Sequence, residues 1–200
     1  MAWDTARTKQ LLLDAAVEEF AEYGPEGARV ARVATGAGVN KERIYQYFGN
    51  KEKLFAAVLE AEMAKLATAV PLTPQQAADL GDYAGRTYDY HRAHPHFLRL
   101  LAWEGLMCQD RVVAEYERTE HYALKVAAIA EAQRAGALTA DVPPAQLMHT
   151  VIALTSSWFT LPQIARMLLP EPPAGEAGAG PDARRGMLVA LTRRLTSPGR

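Results

Sequence analysis

Apolar residues recur at helical spacing along almost the whole chain, and no stretch shows the strict apolar–polar alternation of a half-buried strand. This pattern predicts an all-α protein of about nine helices. The first helix runs from about Thr8 to Tyr23, and Gly24 is suited to end it. Two short helices follow on either side of Gly38. The remaining six are expected near 51–70, 74–92, 96–107, 111–134, 144–169 and 182–196.

Proline and glycine place the boundaries of the later helices. Pro95 disfavours helix in the residue before it, so a helix should stop before the His94-Pro95 pair. Pro162 should kink the long helix of residues 144–169. Residues 170–181 are rich in proline and glycine and predict a flexible loop. Asp182 is suited to cap the last helix.

The short helix pair between Arg29 and Lys53 has the spacing of a helix-turn-helix, a motif that places its second helix in the DNA major groove. Gly38 can adopt the turn conformation without strain. Asn40 is suited to cap the second helix. The residues expected to form the small core beneath the pair are Val30, Val33, Ala34, Val39, Ile44 and Phe48.

The side chains that remain point outward and can donate hydrogen bonds. Lys41 and Arg43 lie near the start of the second helix, the end that approaches base edges, and can donate to guanine O6 and N7. Tyr45 and Tyr47 offer hydroxyls to phosphate and rings to sugars or to the thymine methyl. Lys51 begins the next helix, where an ammonium and a helix N-terminus can jointly hold a phosphate.

Charge is distributed unevenly although the formal net charge is only −1. Residues 27–53 hold six Lys or Arg and two Glu, whereas residues 14–26 hold five acidic residues and no Lys or Arg. A basic face beside an acidic one would orient the protein on DNA. By itself, however, a surface helix with two basic residues is more often only a solvated face.

A resemblance to a known family carries the interpretation further. The segment from Thr8 to Leu54 resembles the N-terminal domain of TetR-family transcriptional regulators, through LLLDAAVEEFAEYG and the run GV-N-K-x-x-I-Y-x-Y-F-x-N-K-E-x-L. The resemblance implies a homodimer, an operator with inverted half-sites, and a larger C-terminal domain for effector binding and dimerisation. It implies a DNA-binding domain of residues 1–53 and a second domain of residues 54–200. It assigns DNA contacts to Lys41, Arg43, Tyr45, Tyr47 and Lys51, with Gln46 as an additional candidate.

Four positions depart from the family pattern. Ala28 and Arg29 stand where a Thr or Ser usually caps the first helix of the pair, so Arg29 could replace the phosphate contact but the cap is lost. Glu42 stands where a small residue is usual; it would repel phosphate, or accept from a cytosine N4 amine, or pair with a neighbouring cation. Gly36 within a helix costs about 1 kcal/mol relative to alanine.

The C-terminal two-thirds are rich in aromatic and large apolar residues, for most of which core packing is the expected role. A pocket between helices would use the same residue types. An apolar or aromatic, weakly polar ligand is expected there. The pocket candidates are Trp103, Met107, Tyr122, Thr155, Trp158 and Phe159. By the resemblance, the last two long helices form the dimer contact, through Leu188, Leu191 and Leu195; in a monomer that stripe would cover its own core.

Other chemistry has weaker support. His91, His94 and His96 lie close in sequence, but Pro95 and the lack of neighbouring carboxylates or thiolates favour a helix boundary over a metal site. Cys108 is the only cysteine and is expected to be a small buried hydrophobe. No catalytic motif, phosphate loop or cofactor signature is found, so no enzyme activity, metal or cofactor is expected.

The sequence thus predicts a bacterial, cytoplasmic, homodimeric regulator, most simply a repressor released from its operator by a small molecule. No signal-peptide core and no membrane-length apolar run is found. Two recognition helices would enter successive major grooves about 34 Å apart. The alternatives are a regulator of the same fold that needs no small ligand, being controlled by a protein partner or constitutive, and a helical enzyme.

Overall fold

The computed structural model describes residues 2–107, 112–169 and 180–199, and these residues form eleven helices and no strand. The all-α fold is confirmed, with two helices more than predicted. The helices are α1 (Ala2–Gly27), α2 (Val30–Ala37), α3 (Glu42–Phe48), α4 (Lys51–Ala69), α5 (Pro74–Ala77), α6 (Leu80–Ala93), α7 (Pro95–Met107), α8 (Glu115–Arg134), α9 (Pro144–Thr160), α10 (Pro162–Leu168) and α11 (Pro181–Thr196).

Both additional helices come from splitting a predicted one. The stretch 74–92 divides into α5 and α6 because the Asp79 carboxylate accepts a hydrogen bond from the Asp82 N–H at 3.1 Å and caps a new helix start. The stretch 144–169 divides at Leu161, whose backbone is non-helical (φ −126°, ψ 50°), and Pro162 begins α10. Proline at a first helical position is favourable, so the expected kink is a complete break.

Other boundaries agree with the sequence or correct it. Gly24 has a positive φ of 68° and interrupts α1, as expected of a residue that ends a helix. Helix α6 ends at Ala93, before the His94-Pro95 pair. The prediction that Asp182 caps the last helix is wrong, because α11 begins at Pro181 and Asp182 lies in its first turn. The predicted loop lies largely outside the described residues, as does Cys108.

The chain divides into two compact units. The first comprises Met1–Leu66 and Pro95–Glu115. Its core is formed by α1 to α4 together with α7, which contributes Leu100. Phe20 and Phe55 meet edge to face at its centre, with ring centroids 5.1 Å apart.

A contact between α1 and α7 fixes the break in α1. The Trp103 indole lies against Gly24, where a Cβ atom would be 2.8 Å from the ring. The indole N–H also donates to the Ala21 carbonyl at 3.4 Å. Gly24 is therefore required twice, for its backbone conformation and for the space that the indole occupies.

The second unit comprises Ala67–His94 and Tyr116–Arg200, and close packing of α6 on α11 organises it. A Cβ atom on Gly81 would lie 2.9 Å from the Val189 carbonyl oxygen, so glycine is required for the approach. Ion pairs tie the two helices on either side of this contact, Arg193 with Asp79 and Arg185 with Asp89, each at 2.6 Å. No helix in the described part of the chain has both the length and the apolarity needed to cross a membrane.

Candidate nucleic-acid interface

Helices α2 and α3 form the predicted helix-turn-helix. Gly38 ends α2 with a left-handed backbone (φ 63°, ψ 31°), and nothing lies within 4 Å of where its Cβ would be. Ile44 and Phe48 anchor α3 in the core of the first unit, with 0% and 7% of their surfaces exposed. Gly49, with φ 84°, then turns the chain into α4. The predicted core is confirmed, with Val30 and Val39 only partly buried.

The outer face of α3 carries the side chains expected to contact DNA. Lys41, Arg43, Tyr45 and Gln46 are all exposed, and Tyr47 is half-buried against the core. The arrangement follows from the helical period, since Ile44 and Phe48 are four residues apart and take up the inner face. The exposed residues are consequently held by a helix whose position does not depend on them.

Several of these side chains already have partners. The Arg43 guanidinium donates to the Gln46 amide oxygen at 3.1 Å, which aligns two planar groups on one face. The Lys41 ammonium lies 5.9 Å from the Tyr45 ring centroid. Asn40 accepts from the Glu42 backbone N–H, the first of α3, at 3.2 Å, although the residue directly before the helix is Lys41, which makes no side-chain cap.

The start of α2 is held by a hydrogen bond from α1 that the local sequence does not show. Arg29 makes no side-chain cap, but its backbone N–H donates to the carboxylate of Glu19 on α1 at 2.7 Å. The expectation that the side-chain cap is lost is confirmed, and a residue ten positions earlier instead holds the N–H of the N-cap residue itself. The Arg29 side chain stays exposed.

Glu19 also binds the guanidinium of Arg32, at 2.6 Å, and that guanidinium lies 4.2 Å from the Tyr23 ring centroid. Glu19 is only 7% exposed. Burial by itself would raise the pKa of its carboxyl, but the hydrogen bonds from Arg32 and the Arg29 N–H outweigh burial and hold the pKa below its usual value. Glu19 is thus an ionised structural group rather than part of a solvated acidic face.

Lys51 begins α4 and is tied to the connection between α1 and α2. Its ammonium donates to the carbonyl oxygens of Glu26 at 3.1 Å and Ala28 at 3.4 Å. Asn50, just before it, accepts from the Lys53 N–H at 2.8 Å and caps α4. In this conformation Lys51 joins three elements of the first unit, and its predicted phosphate contact would add to that role or replace it.

The predicted pocket residues are divided between the two units. Trp103 and Met107 lie on α7 in the first unit, where Trp103 packs against Gly24 and Met107 is 39% exposed. Tyr122, Thr155, Trp158 and Phe159 lie in the second unit. A pocket shared by all six stays a prediction.

In the second unit, Phe159 packs 5.2 Å from the Tyr88 ring and 5.9 Å from the His91 ring. Burial lowers the pKa of His91 to about 4, so its imidazole is neutral at pH 7. His94 stacks on Tyr90, with ring centroids 4.3 Å apart, while His96 bonds Glu62 in the first unit at 2.9 Å. Within the described ranges, no group of three or more His, Cys, Asp or Glu is placed to hold a metal ion.

The leucines predicted at a dimer contact differ in exposure. Leu188 is 2% exposed and faces the core of its own unit, whereas Leu191 and Leu195 are 44% and 55% exposed. Met187, 59% exposed, extends the same stripe along α11. The dimer contact stays a prediction, and the surface available to a partner is that of Leu191, Leu195 and Met187.

An exposed, donor-bearing second helix, held by a left-handed glycine turn in an all-helical chain, defines a helix-turn-helix DNA-binding regulator. The chain matches the family model described as bacterial regulatory proteins, tetR family, over residues 12–58. It also matches the model described as a tetracyclin repressor-like C-terminal domain, over residues 79–194. The chain belongs to the TetR family of transcriptional regulators, as its motif predicted.

Individual relatives agree with this. The HTH-type transcriptional repressor SCO4008 of Streptomyces coelicolor is 41% identical over 195 residues, 97% of each chain. The HTH-type transcriptional repressor NicS of Pseudomonas putida is 38% identical over 104 residues, about half of each chain. The crystal structure of SCO4942, a candidate transcriptional regulator of Streptomyces coelicolor, aligns with a TM-score of 0.78 at 34% identity, covering 94% of this chain and 98% of its own.

Proposed function

We propose that this protein is a repressor that binds an inverted-repeat operator as a homodimer and leaves it when a small molecule binds. The exposed face of α3 carries the proposal, since its side chains are held in place by Ile44 and Phe48 while contributing little to the core. The names of SCO4008 and NicS support repression as the outcome.

The chemistry of α3 suits sequence-specific contacts. A guanidinium can bind guanine O6 and N7 through two hydrogen bonds, and a glutamine amide can bind adenine N6 and N7 in the same way. Arg43 and Gln46 would supply these groups. Glu42, exposed at the start of α3, would accept from a cytosine amine. The Arg43–Gln46 hydrogen bond must open for both side chains to bind bases. The pair would then lose this one contact and gain a base contact for each side chain.

The other predicted contacts suit the DNA backbone. Arg29 lies exposed at the N-terminus of α2, where the helix dipole and the guanidinium both favour a phosphate. The Tyr47 hydroxyl and the Lys51 ammonium would add further phosphate contacts. These residues would set position and affinity rather than sequence preference.

The exposed stripe of Met187, Leu191 and Leu195 supports the homodimer. Three large apolar side chains at spacings of four residues form a ridge that a second copy of α11 could cover. A dimer would present two α3 helices to successive major grooves on one side of the duplex. An effector would release DNA only if it binds one dimer geometry more tightly than the other.

In vitro selection from a random duplex library, followed by gel-shift titration of the selected sites, tests this proposal. We expect inverted half-sites about one helical turn apart. Arg43→Ala should reduce the free-energy preference for the correct base by about 1–3 kcal/mol at one position of the half-site. Arg29→Ala should weaken all sequences alike and reduce the slope of log affinity against log salt by about 1. Arg134→Ala, at an exposed position on α8, is the control.

If Arg43→Ala and Arg29→Ala both select and bind the same sites as the wild type across a range of salt, the assigned DNA face is wrong. If no small molecule releases the selected DNA but a partner protein does, the alternative without a small ligand is favoured. We place the protein in the cytoplasm because its partner is genomic DNA, and we propose no enzymatic activity.

A further inference from the structure

A cluster of cationic groups around Tyr83 in the second unit is not explained by packing alone. Tyr83 lies on α6 and is 4% exposed. The Lys125 ammonium, on α8, donates to its hydroxyl oxygen at 3.0 Å and lies 5.2 Å from the ring centroid. The Arg86 guanidinium lies 5.6 Å from the same centroid.

These two cations have too few acceptors among the described residues. Lys125 is half-buried, makes no ion pair within the described ranges, and has the neutral Tyr83 hydroxyl as its hydrogen-bond acceptor. Arg86 bonds Asp82 at 2.8 Å and the Pro71 carbonyl at 3.0 Å, but its Nη2 is buried without a hydrogen-bond partner in that part of the chain. Buried donors without acceptors are costly, and charged ones more so.

The tyrosine cannot neutralise Lys125 by ionising. Burial raises the pKa of the Tyr83 hydroxyl, so it stays protonated at pH 7. Burial, with a further contribution from the charge of Arg86, lowers the pKa of the Lys125 ammonium. Asp82 balances Arg86, and among the described residues no carboxylate pairs with Lys125.

The geometry points to a binding site for a small organic monocarboxylate, with Lys125 and Arg86 Nη2 as donors to its oxygens. A carboxylate accepts from both groups and supplies a counter-charge for Lys125, and charge-assisted hydrogen bonds of this kind are strong. Tyr122, one turn before Lys125 on α8, lies on the same helix face and would contact an aromatic or apolar body. The site gives the proposed effector its chemical class, and its role in regulation rests on the proposed function.

Matched pairs of acid and amide test the site directly. Calorimetric titration of the purified full-length protein would compare benzoate with benzamide, and 4-hydroxybenzoate with 4-hydroxybenzamide. We expect at least one acid to bind about tenfold or more tightly than its amide. Lys125→Met should remove that preference, Lys125→Arg should keep it, and Arg134→Met, elsewhere on α8, should leave it unchanged.

The site is refuted if every acid binds no better than its amide, or if Lys125→Met keeps the preference. Gel shifts with selected DNA distinguish carboxylate binding at the site from control of DNA binding by that ligand. An acid that binds through Lys125 without changing DNA affinity supports the site and contradicts its role as an effector site. If the amides release DNA and the acids do not, the proposal that a small molecule controls DNA binding stands and the carboxylate site is refuted.

Discussion

Replacement of Glu19 should loosen the helix-turn-helix without touching its exposed face. In Glu19→Ala, the Arg29 N–H loses its acceptor and Arg32 loses its ion-pair partner. Loss of one intramolecular hydrogen bond costs about 1 kcal/mol. The ion pair adds less than about 1 kcal/mol, because the Arg32 side chain is 39% exposed and solvent screens it. We therefore expect a loss of about 1–2 kcal/mol in the free energy of unfolding.

Glu19→Gln separates the two contributions. The amide oxygen can still accept from the Arg29 N–H, but the charge is gone, so this variant should lie between Glu19→Ala and the wild type. Glu18→Ala is the matched control, since Glu18 is the exposed neighbour. Urea unfolding at fixed protein concentration, followed by circular dichroism, gives the midpoints.

The same carboxylate predicts a pH dependence with a definite sign. Its pKa is lower in the folded protein than in the unfolded chain, so its contribution is complete above the unfolded value near 4.5. The contribution is lost as pH falls through the folded pKa. The difference in stability between wild type and Glu19→Gln should accordingly shrink below pH 4.5. If Glu19→Ala matches Glu18→Ala at pH 7, the bonds from Glu19 to the Arg29 N–H and to Arg32 contribute nothing and the reasoning fails.

Two glycine pairs make further predictions for the free energy of unfolding, each measured by thermal or urea denaturation. Gly81→Ala should destabilise the protein by about 1–3 kcal/mol, because the added Cβ would press on the Val189 carbonyl oxygen. Its control, Gly186→Ala, has open space around the added Cβ and should stabilise the protein by about 0.5–1 kcal/mol. Equal effects would show that α6 and α11 are less tightly packed than described. Gly24→Ala should cost about 2 kcal/mol or more, because it meets both backbone strain and the indole, and should exceed Gly38→Ala, which meets strain alone. A smaller loss for Gly24→Ala would contradict the packing of the indole on that glycine.

The sequence predicted what depends on neighbours along the chain. Helical periodicity identified the all-α fold and the anchors Ile44 and Phe48, and the caps and glycines gave the turn at Gly38. Pro162 predicts that the helix is disturbed near Leu161, but only the surrounding structure decides whether the disturbance is a kink or a break. The split before Leu80 was missed because Asp79 caps a helix inside a stretch that is helical in pattern.

The features that the sequence does not predict depend on tertiary contacts. Glu19 carries the spacing of an ordinary solvated residue, and only the packing of α1 on α2 makes it the partner of the Arg29 N–H and the Arg32 guanidinium. Residue type makes Trp103 a pocket candidate, although it lies against Gly24. The sequence does not single out Lys125, because a lysine on a polar helix shows its burial, and the lack of an ion pair among the described residues, only in three dimensions.

The anchoring of α3 has a consequence for how operator preference can change. Ile44 and Phe48 hold the helix from beneath, while Lys41, Arg43 and Gln46 stand clear of the core. On the proposed contacts, stability and base selection rest on separate residues. Exchange of the three outer side chains should retarget the protein to new half-sites at almost no cost in folding, which makes this helix a natural place both for divergence between duplicated regulators and for engineered switches.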